Sequence, residues 1–444
     1  MLTGRSAYFA LCVSALKYGL LCIVVGALCT PKYQTSRHYE VVQSAHTCQR
    51  LHSSSVCRFK NVCVPTTINH GPYALLYYLP DNVVRHAPSG PYASISDPSN
   101  DELLLALRPF ALTERAQGIA SEHHFLAVQV VRTSVERHSL WIKSTALVFA
   151  PFWPENWGHA VFDDLYSIWC ALRLFDLKSK QVSIFYTTFP FSNESFVRRA
   201  KEVYRAFATR LGMQTPTALQ GTSSPSDYIC FADLVAGTGA LSMREYPHRL
   251  QDFSRSIRIK SRQRYGTLKS NRVHITFLDK KDGRHRRRIR NLPSILHAVT
   301  AEFQSAHVDV LDSAEISGLH LVERLGVLHK IDILVAAGGA ASLNAAFMRP
   351  GTVLIILDVY EPSSNSSVTL EPYIWNAITD VRTFFFKVTD KDMVISAESS
   401  ERPKSDPLYT DFLYRDFADY ELSTSRLLAA VRAAFMHLNA FRPS

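Results

Sequence analysis

Hydrophobic and polar positions along this chain follow two rhythms. Between Asn156 and Phe175 the apolar residues Val161, Leu165, Ile168, Trp169 and Leu172 recur at helical spacing. Around that helix, Leu140–Ala150 reads as a strand running into a Pro- and Trp-rich turn, and Val182–Thr187 as a short strand. Ser195–Leu211 follows as a helix with Arg and Lys on its outer face, and Tyr228–Val235 as another strand. From Arg272 the pattern becomes regular. Strands at Val273–Leu278, Val308–Leu311, Ile331–Ala337 and Thr352–Leu357 alternate with helices at Leu292–Phe303 and Ile316–His329. Strands separated by helices of that length predict βαβ units and a parallel sheet.

The expected fold class is therefore α/β, and 444 residues exceed one ordinary core, so two lobes are expected. The polar, basic stretch Gln251–Ser270 divides them, giving a first lobe over 57–255 and a second over 270–400. A tail over 405–444 follows. Its segment Tyr420–Phe441 is an amphipathic helix with no strand after it, able to pack back across the first lobe.

The N-terminus bears on compartment. Ala7–Cys29 is apolar apart from Lys17 and a few small polar residues, about the roughly 20 residues a bilayer span needs. A mid-span lysine costs about 2.5–3.5 kcal/mol. The segment 1–30 reads as an uncleaved signal anchor, or as a signal peptide whose apolar core is Leu20–Leu28. The polar stretch 31–56 then forms a stalk. Either reading sends the chain into the secretory pathway.

The cysteines agree. Of eight, Cys48, Cys57 and Cys63 cluster after the stalk, while Cys170 and Cys230 lie deeper. No C-x₂-C or C-x₂-H spacing suggests zinc, so these five are disulfide candidates of undetermined connectivity. Asn193-Glu-Ser and Asn365-Ser-Ser are glycosylation acceptors. A net charge of +10 fits an anionic ligand or a membrane surface as well as an ordinary solvated basic face. A luminal chain meets no nucleic acid.

Three groups of residues are equipped for chemistry. Asn156 is a good N-cap for the first-lobe helix, and His159 and Asp163, four apart, share one of its faces. That face lies away from the apolar stripe. A carboxylate orienting an imidazole there can handle a proton, although an exposed i,i+4 pair would look the same. In the second lobe Gly338–Gly339 follows an apolar strand and precedes a small-residue helix. Such a turn lets backbone N–H groups approach a phosphate, with Ser342 or Asn344 to hydrogen-bond it, and equally serves as a plain tight junction. Finally, Lys280, Lys281, Arg284, His285, Arg286, Arg287, Arg288 and Arg290 crowd the loop after a strand end, where an arginine can clamp a diphosphate. Asp390-Lys-Asp392 has the spacing of a metal-binding D-x-D pair but reads as a turn. Gly-x-Ser-x-Gly and P-loop patterns are absent.

In order and spacing these pieces resemble glycosyltransferase family 61 over roughly Cys57 to Leu357. Cys57–Cys63 looks like its luminal entry motif, and Asn156, His159 and Asp163 fall on its Asn-x-x-His-x-x-x-Asp pattern. Arg288 and Asn291 fit its Arg-x-x-Asn. Gly339, Ala340, Asn344, Pro350 and Gly351 match its His-Gly-Ala-Gly…Asn…Pro-Gly segment. The resemblance implies a GT-B-like architecture, two Rossmann-like lobes facing a cleft. It implies inverting transfer of a sugar, GlcNAc or a pentose, from a nucleotide-sugar donor such as a UDP-sugar to a glycoprotein or polysaccharide hydroxyl, with no obligatory metal. His159 or Asp163 would take the proton. Arg288, Asn291 and the Gly338–Gly339 turn would hold the nucleotide. The implied setting is a single-pass type II protein of the Golgi or endoplasmic reticulum membrane. Two positions depart from the pattern. Gly338 stands where the family has histidine, and Leu278–Asp279 where it has an arginine, so an inactive glycan-binding member is the alternative.

Overall fold

A computed structural model describes residues 34–35, 45–51, 54–65, 73–78, 110–111, 125–131, 139–151, 156–186, 194–219, 228–265, 272–280, 287–395, 414 and 418–441. The anchor segment, Asn193 and the basic residues at 281–286 lie outside them. No helix among the described residues is long and apolar enough to cross a membrane.

The chain is mixed α/β and is organised on two sheets. Ten strands build the first: β1 Gln34–Thr35, β2 Ala45–Leu51, β3 Ser54–Pro65, β4 Tyr73–Tyr78, β5 Phe110–Ala111, β6 Phe125–Val131, β7 Ser139–Phe149, β8 Ser183–Tyr186, β9 Thr217–Ala218 and β10 Tyr228–Ala236. Its order is β5-β6-β4-β3-β10-β7-β8-β9. One half, β10-β7-β8-β9, is parallel, while β3 runs antiparallel to both β10 and β4. The sheet is thus mixed, because the N-terminal hairpins add strands the regular rhythm did not announce.

Disulfides pin those hairpins. Cys48 pairs with Cys57 and Cys63 with Cys230, each joining residues directly opposite across an antiparallel ladder. Cys170 is not a disulfide partner as expected. It is a buried free thiol on the helix beside the sheet, where burial pushes its pKa up to about 12. Next to the second disulfide, the Asp233 carboxylate accepts from Arg58, Lys60 and Thr145.

The second sheet is wholly parallel: β11 His274–Asp279, β12 His307–Asp312, β13 Ile333–Ala337, β14 Thr352–Leu357 and β17 Val381–Phe386, in the order β12-β11-β13-β14-β17. Between the last two lie the small hairpin β15 Val359–Glu361 and β16 Ser366–Val368. In chain order the five strands read 2-1-3-4-5, the doubly wound arrangement with its switch point between β11 and β13. Alternate residues of the central strands bury opposite faces. Ile333, Val335, Val353 and Ile355 face one cluster, and Leu334, Ala336, Leu354 and Ile356 the other. Burial on both sides is why these strands read as continuous apolar runs.

Two expectations about the connections are corrected. The stretch placed as a polar divider, 251–270, contains a helix, Leu250–Tyr265. Its inner face (Leu250, Phe253, Ser254, Ile257, Arg258) is buried although its outer face is polar enough to mimic a linker. Phe253 packs edge-on to Phe162, Tyr166 and Trp169 of the N-terminal part. Ser254 donates to the Ala346 carbonyl, and Arg258 to that of Met348, in the C-terminal part. The tail helix Thr424–Phe441 does not cross the first sheet. Leu427, Val431, Ala434 and Leu438 pack onto the second sheet with Leu292, Ile295 and Val299, because that face needs a cover that one crossover helix cannot supply.

Candidate functional site

The first-lobe motif sits at the start of an unusual helix. It begins as an α-helical turn at Trp157–His159, widens to a π-helix over Ala160–Leu165, and resumes as α-helix through Tyr166–Leu174. Asn156 caps it, its Oδ1 accepting from the Gly158 N–H at 3.0 Å. A π-helical stretch is a costly irregularity that recurs at functional sites, and both motif side chains flank or occupy it. His159 Nδ1 lies 2.5 Å from Asp163 Oδ2. The pair is not the exposed one that spacing alone allowed: the Asp163 side chain is 1% exposed and that of His159 19%. Asp163 Oδ1 is buried and without a hydrogen bond. A carboxylate so enclosed acts on anything outside only through the imidazole.

The second-lobe turn lies at the carboxyl end of β13, beside the switch point. Gly339 has φ +90°, a conformation that favours glycine. The space a side chain would need is filled by a neighbour: a Cβ there would stand 3.1 Å from Arg287 Nη1. Arg287 in turn donates from Nη1 to the Gly338 carbonyl at 2.6 Å. Arg287 itself has φ +73°, a strained state for a side-chain-bearing residue that persists only where its surroundings enforce it. Three contacts do so: Arg287 N–H donates to Ala418, and Asp279, at the end of β11, accepts from Ile289 N–H. Tyr420 N–H returns to the Arg288 carbonyl. Burial raises the pKa of Asp279, against the pull of the Ile289 and Lys280 N–H groups and Arg288. Asp279, found in place of an arginine, thus clamps the root of the loop that carries one.

The structure distributes the predicted residues unevenly. Arg288 is exposed; its N–H donates to Asp419. Asn291 gives its amide to Leu422, donating to the carbonyl at 2.7 Å and accepting from the N–H at 3.1 Å. Ser342 is fully buried and donates back to the Gly339 carbonyl. Asn344 is buried too; its Oδ1 accepts twice from Arg324 and its Nδ2 donates to Ala341. These four staple backbone and neighbours. The small-residue helix that follows is short, Ala340–Leu343 and then a 3₁₀ turn Asn344–Phe347, so its dipole adds little. Arg287, inside a run of arginines, carried no sequence signal to distinguish it. Arg324 carried none either.

Residues from the two halves meet here. Gly158 packs against the second turn so closely that a Cβ would stand 3.0 Å from Leu343 Cδ1 and 3.4 Å from Ala340 Cβ. The Arg324 guanidinium lies 3.6 Å from the Trp157 ring centroid. It is buried with no carboxylate against it among the described residues, and burial draws its pKa down to about 9. Phe162 stacks on Phe347. The His159–Asp163 pair and the Arg287–glycine turn are therefore neighbours, held by one aromatic seam. Asp390-Lys-Asp392 is a capped turn, as read. Asp392 accepts from Thr389 and Arg426, and Asp390 from Tyr414.

Comparison with known proteins gives one family. Residues 157–355 match the family model for Glycosyltransferase 61, a span that contains both halves of the site. No curated protein sequence matches the chain. Among solved structures, it is similar to the bacterial iron-containing dodecameric glycosyltransferase TibC from enterotoxigenic E. coli H10407, at 8% identity and TM-score 0.31 over 67% of this chain and 77% of that one. It is similar to the same degree to the dodecameric iron-containing heptosyltransferase TibC in complex with ADP-D-beta-D-heptose, at 8% identity and TM-score 0.33, with the same coverage of both chains. Similarity that faint says nothing about ligands, metals or assembly in the present chain.

Proposed function

Since residues 157–355 carry a glycosyltransferase family 61 domain, this chain is a glycosyltransferase, and we propose that it is an inverting, GT-B-like one. Its donor is a nucleotide sugar, a UDP-sugar carrying GlcNAc or a pentose, and its acceptor a hydroxyl of a glycoprotein or polysaccharide. The observation that carries the proposal is the contact of Gly158 with Ala340 and Leu343, which brings a proton-handling pair against an anion-binding turn.

In this reading His159 takes the proton of the acceptor hydroxyl as that oxygen attacks the anomeric carbon, and Asp163 orients and stabilises the imidazolium that forms. The bond from the anomeric carbon to the diphosphate oxygen breaks, and its electron pair leaves with the nucleotide. Arg287, beside the glycine turn at the β11/β13 switch point, receives that growing charge, while the Gly338 N–H is held by the Leu357 carbonyl. Ser342, Asn344 and Asn291 keep the turn and the loop in register. Arg288, exposed at the rim, serves as a weaker electrostatic contact. No step is assigned to a metal. The disulfides and the apolar N-terminal segment support a luminal domain of a type II Golgi or endoplasmic reticulum membrane protein, open to glycosylation at Asn193 and Asn365.

A second reading, a family member that binds glycans without transferring them, is favoured by one feature. Gly338 replaces the family histidine, and a Cβ there would meet Leu370 at 3.5 Å, so Leu370 borders the space a histidine would use. Nucleotide release measured over a panel of nucleotide sugars, with Asp163→Ala as control, separates the two. Release with one donor, lost in Asp163→Ala, supports transfer; release with none from folded protein supports the second reading.

A further inference from the structure

At the opposite end of the second sheet, where β11 and β12 begin, lies a cluster that transfer does not use. His274 and His307 are direct partners in the parallel register, and Asp309 is opposite Thr276. Residues two apart on a strand share a face, so His274, His307 and Asp309 project together. His274 Nε2 lies 3.0 Å and His307 Nε2 3.9 Å from Asp309 Oδ2. One ligand atom from each of the three falls within 4.8 Å of the others. Ligands at about 2.0–2.1 Å from a tetrahedral zinc ion stand roughly 3.3 Å apart, so small rotations of side chains complete the set. The ring of His274 is already turned toward Asp309 through Nε2. Asp309 Oδ1 is buried beside Thr276 without a well-formed hydrogen bond, and the His307 side chain is 61% exposed, which leaves an approach from solvent.

We infer that His274, His307 and Asp309 form a binding site for a zinc-class divalent cation, with water in the fourth position, that clips the edge strand β12 to β11. Two imidazoles and a carboxylate suit zinc, cobalt or nickel better than magnesium or calcium, which prefer all-oxygen sets. The site lies at the amino ends of the strands, away from the Arg287–glycine turn at their carboxyl ends. It is thus a structural clip that adds no chemistry to transfer, and it stands or falls independently of the transferase reading.

The test is metal binding by the full chain, purified without a histidine tag and stripped with chelator. Zinc chloride titration is followed by calorimetry, and cobalt chloride titration by visible absorption. The expected result is one equivalent of zinc, tetrahedral cobalt bands, and a higher thermal midpoint with zinc. His307→Ala, altering an exposed edge residue, and Asp309→Asn should unfold as cooperatively as the wild type. Both should bind zinc more than ~100-fold more weakly, beyond the range for losing an outer partner alone. Wild type that binds no equivalent, or His307→Ala that binds it unchanged, overturns the inference.

Discussion

At the scale of single residues, the guanidinium that lies against the glycine turn is that of Arg287 and not that of Arg288. It donates to the Gly338 carbonyl beneath a turn that only glycine at 339 can form without displacing it, whereas the Arg288 side chain is exposed. Losing a charge-assisted hydrogen bond costs about 1.5–3 kcal/mol. Arg287→Ala should therefore raise the donor KM by roughly 10- to 150-fold, while Arg288→Ala changes it by no more than about threefold. Steady-state kinetics with varied donor distinguishes them, and equal effects would reject the assignment. The sequence made the His159–Asp163 pair legible because four-residue spacing is a property of any helix. It did not reveal the burial of Asp163, on a helix whose neighbouring Phe162 packs against Phe253 and Phe347 from far along the chain. Nor could it single out one arginine from a run, since what marks Arg287 is a backbone angle. Asn291, Ser342 and Asn344 were chemically apt, but the same hydrogen-bonding groups are spent on the fold.

At the scale of elements, the β3–β10 ladder is braced by the Cys63–Cys230 disulfide and by the contacts of Asp233. Desolvation opposes ionisation of Asp233, yet hydrogen bonds from Arg58, Thr145 and Lys60 outweigh it and bring its pKa from 3.8 down to about 2. A depressed carboxyl pKa contributes stability above the unfolded value that is lost as pH falls through the folded one. Asp233 should thus contribute about 2 kcal/mol at neutral pH, disappearing between pH 4 and 2. Denaturation of Asp233→Asn should show a deficit of that order at pH 7 that closes near pH 2; a deficit constant with pH would contradict it. The Cys63–Cys230 bridge spans 167 residues and Cys48–Cys57 only 9. On chain entropy the longer loop restricts the unfolded chain by roughly 5 kcal/mol and the shorter by roughly 2.5. Cys63→Ser/Cys230→Ser should lose more stability than Cys48→Ser/Cys57→Ser in equilibrium unfolding, and the reverse order would count against it. The strands of the second sheet were readable because burial on both faces makes apolar runs. The hairpins were not, since Arg58 and Lys60, which serve a buried aspartate, share a strand face with the buried Val56 and Val62.

At the scale of the whole molecule, the two sheets are joined by packing that a polar stretch concealed. Helix Leu250–Tyr265 is tied to the C-terminal part by Asp380, whose carboxylate accepts from Gln251, Arg255 and Arg258. Those partners hold its pKa below the usual range, Arg255 foremost. Of the two arginines only Arg258 is buried, so losing this carboxylate falls on a buried charge. Asp380→Ala should cost about 3 kcal/mol or more in equilibrium unfolding, and a cost below about 1 kcal/mol would show that the helix does not need this tie. The match of residues 157–355 to the Glycosyltransferase 61 model was legible because motifs survive as short spaced patterns; which halves touch was not, since Gly158 and Ala340 lie far apart in sequence.

In the proposed transferase, one site built across that seam uses His159 with Asp163 for the proton and Arg287 for the departing nucleotide. The most direct measurement is turnover of the accepted donor by Asp163→Asn, with donor binding measured on the same protein. The account predicts that donor affinity stays within about twofold while kcat falls roughly 10²- to 10⁴-fold, the range for a disabled acid–base pair. Transfer at the wild-type rate by the Asp163→Asn variant, or loss of its donor binding instead, would contradict the account.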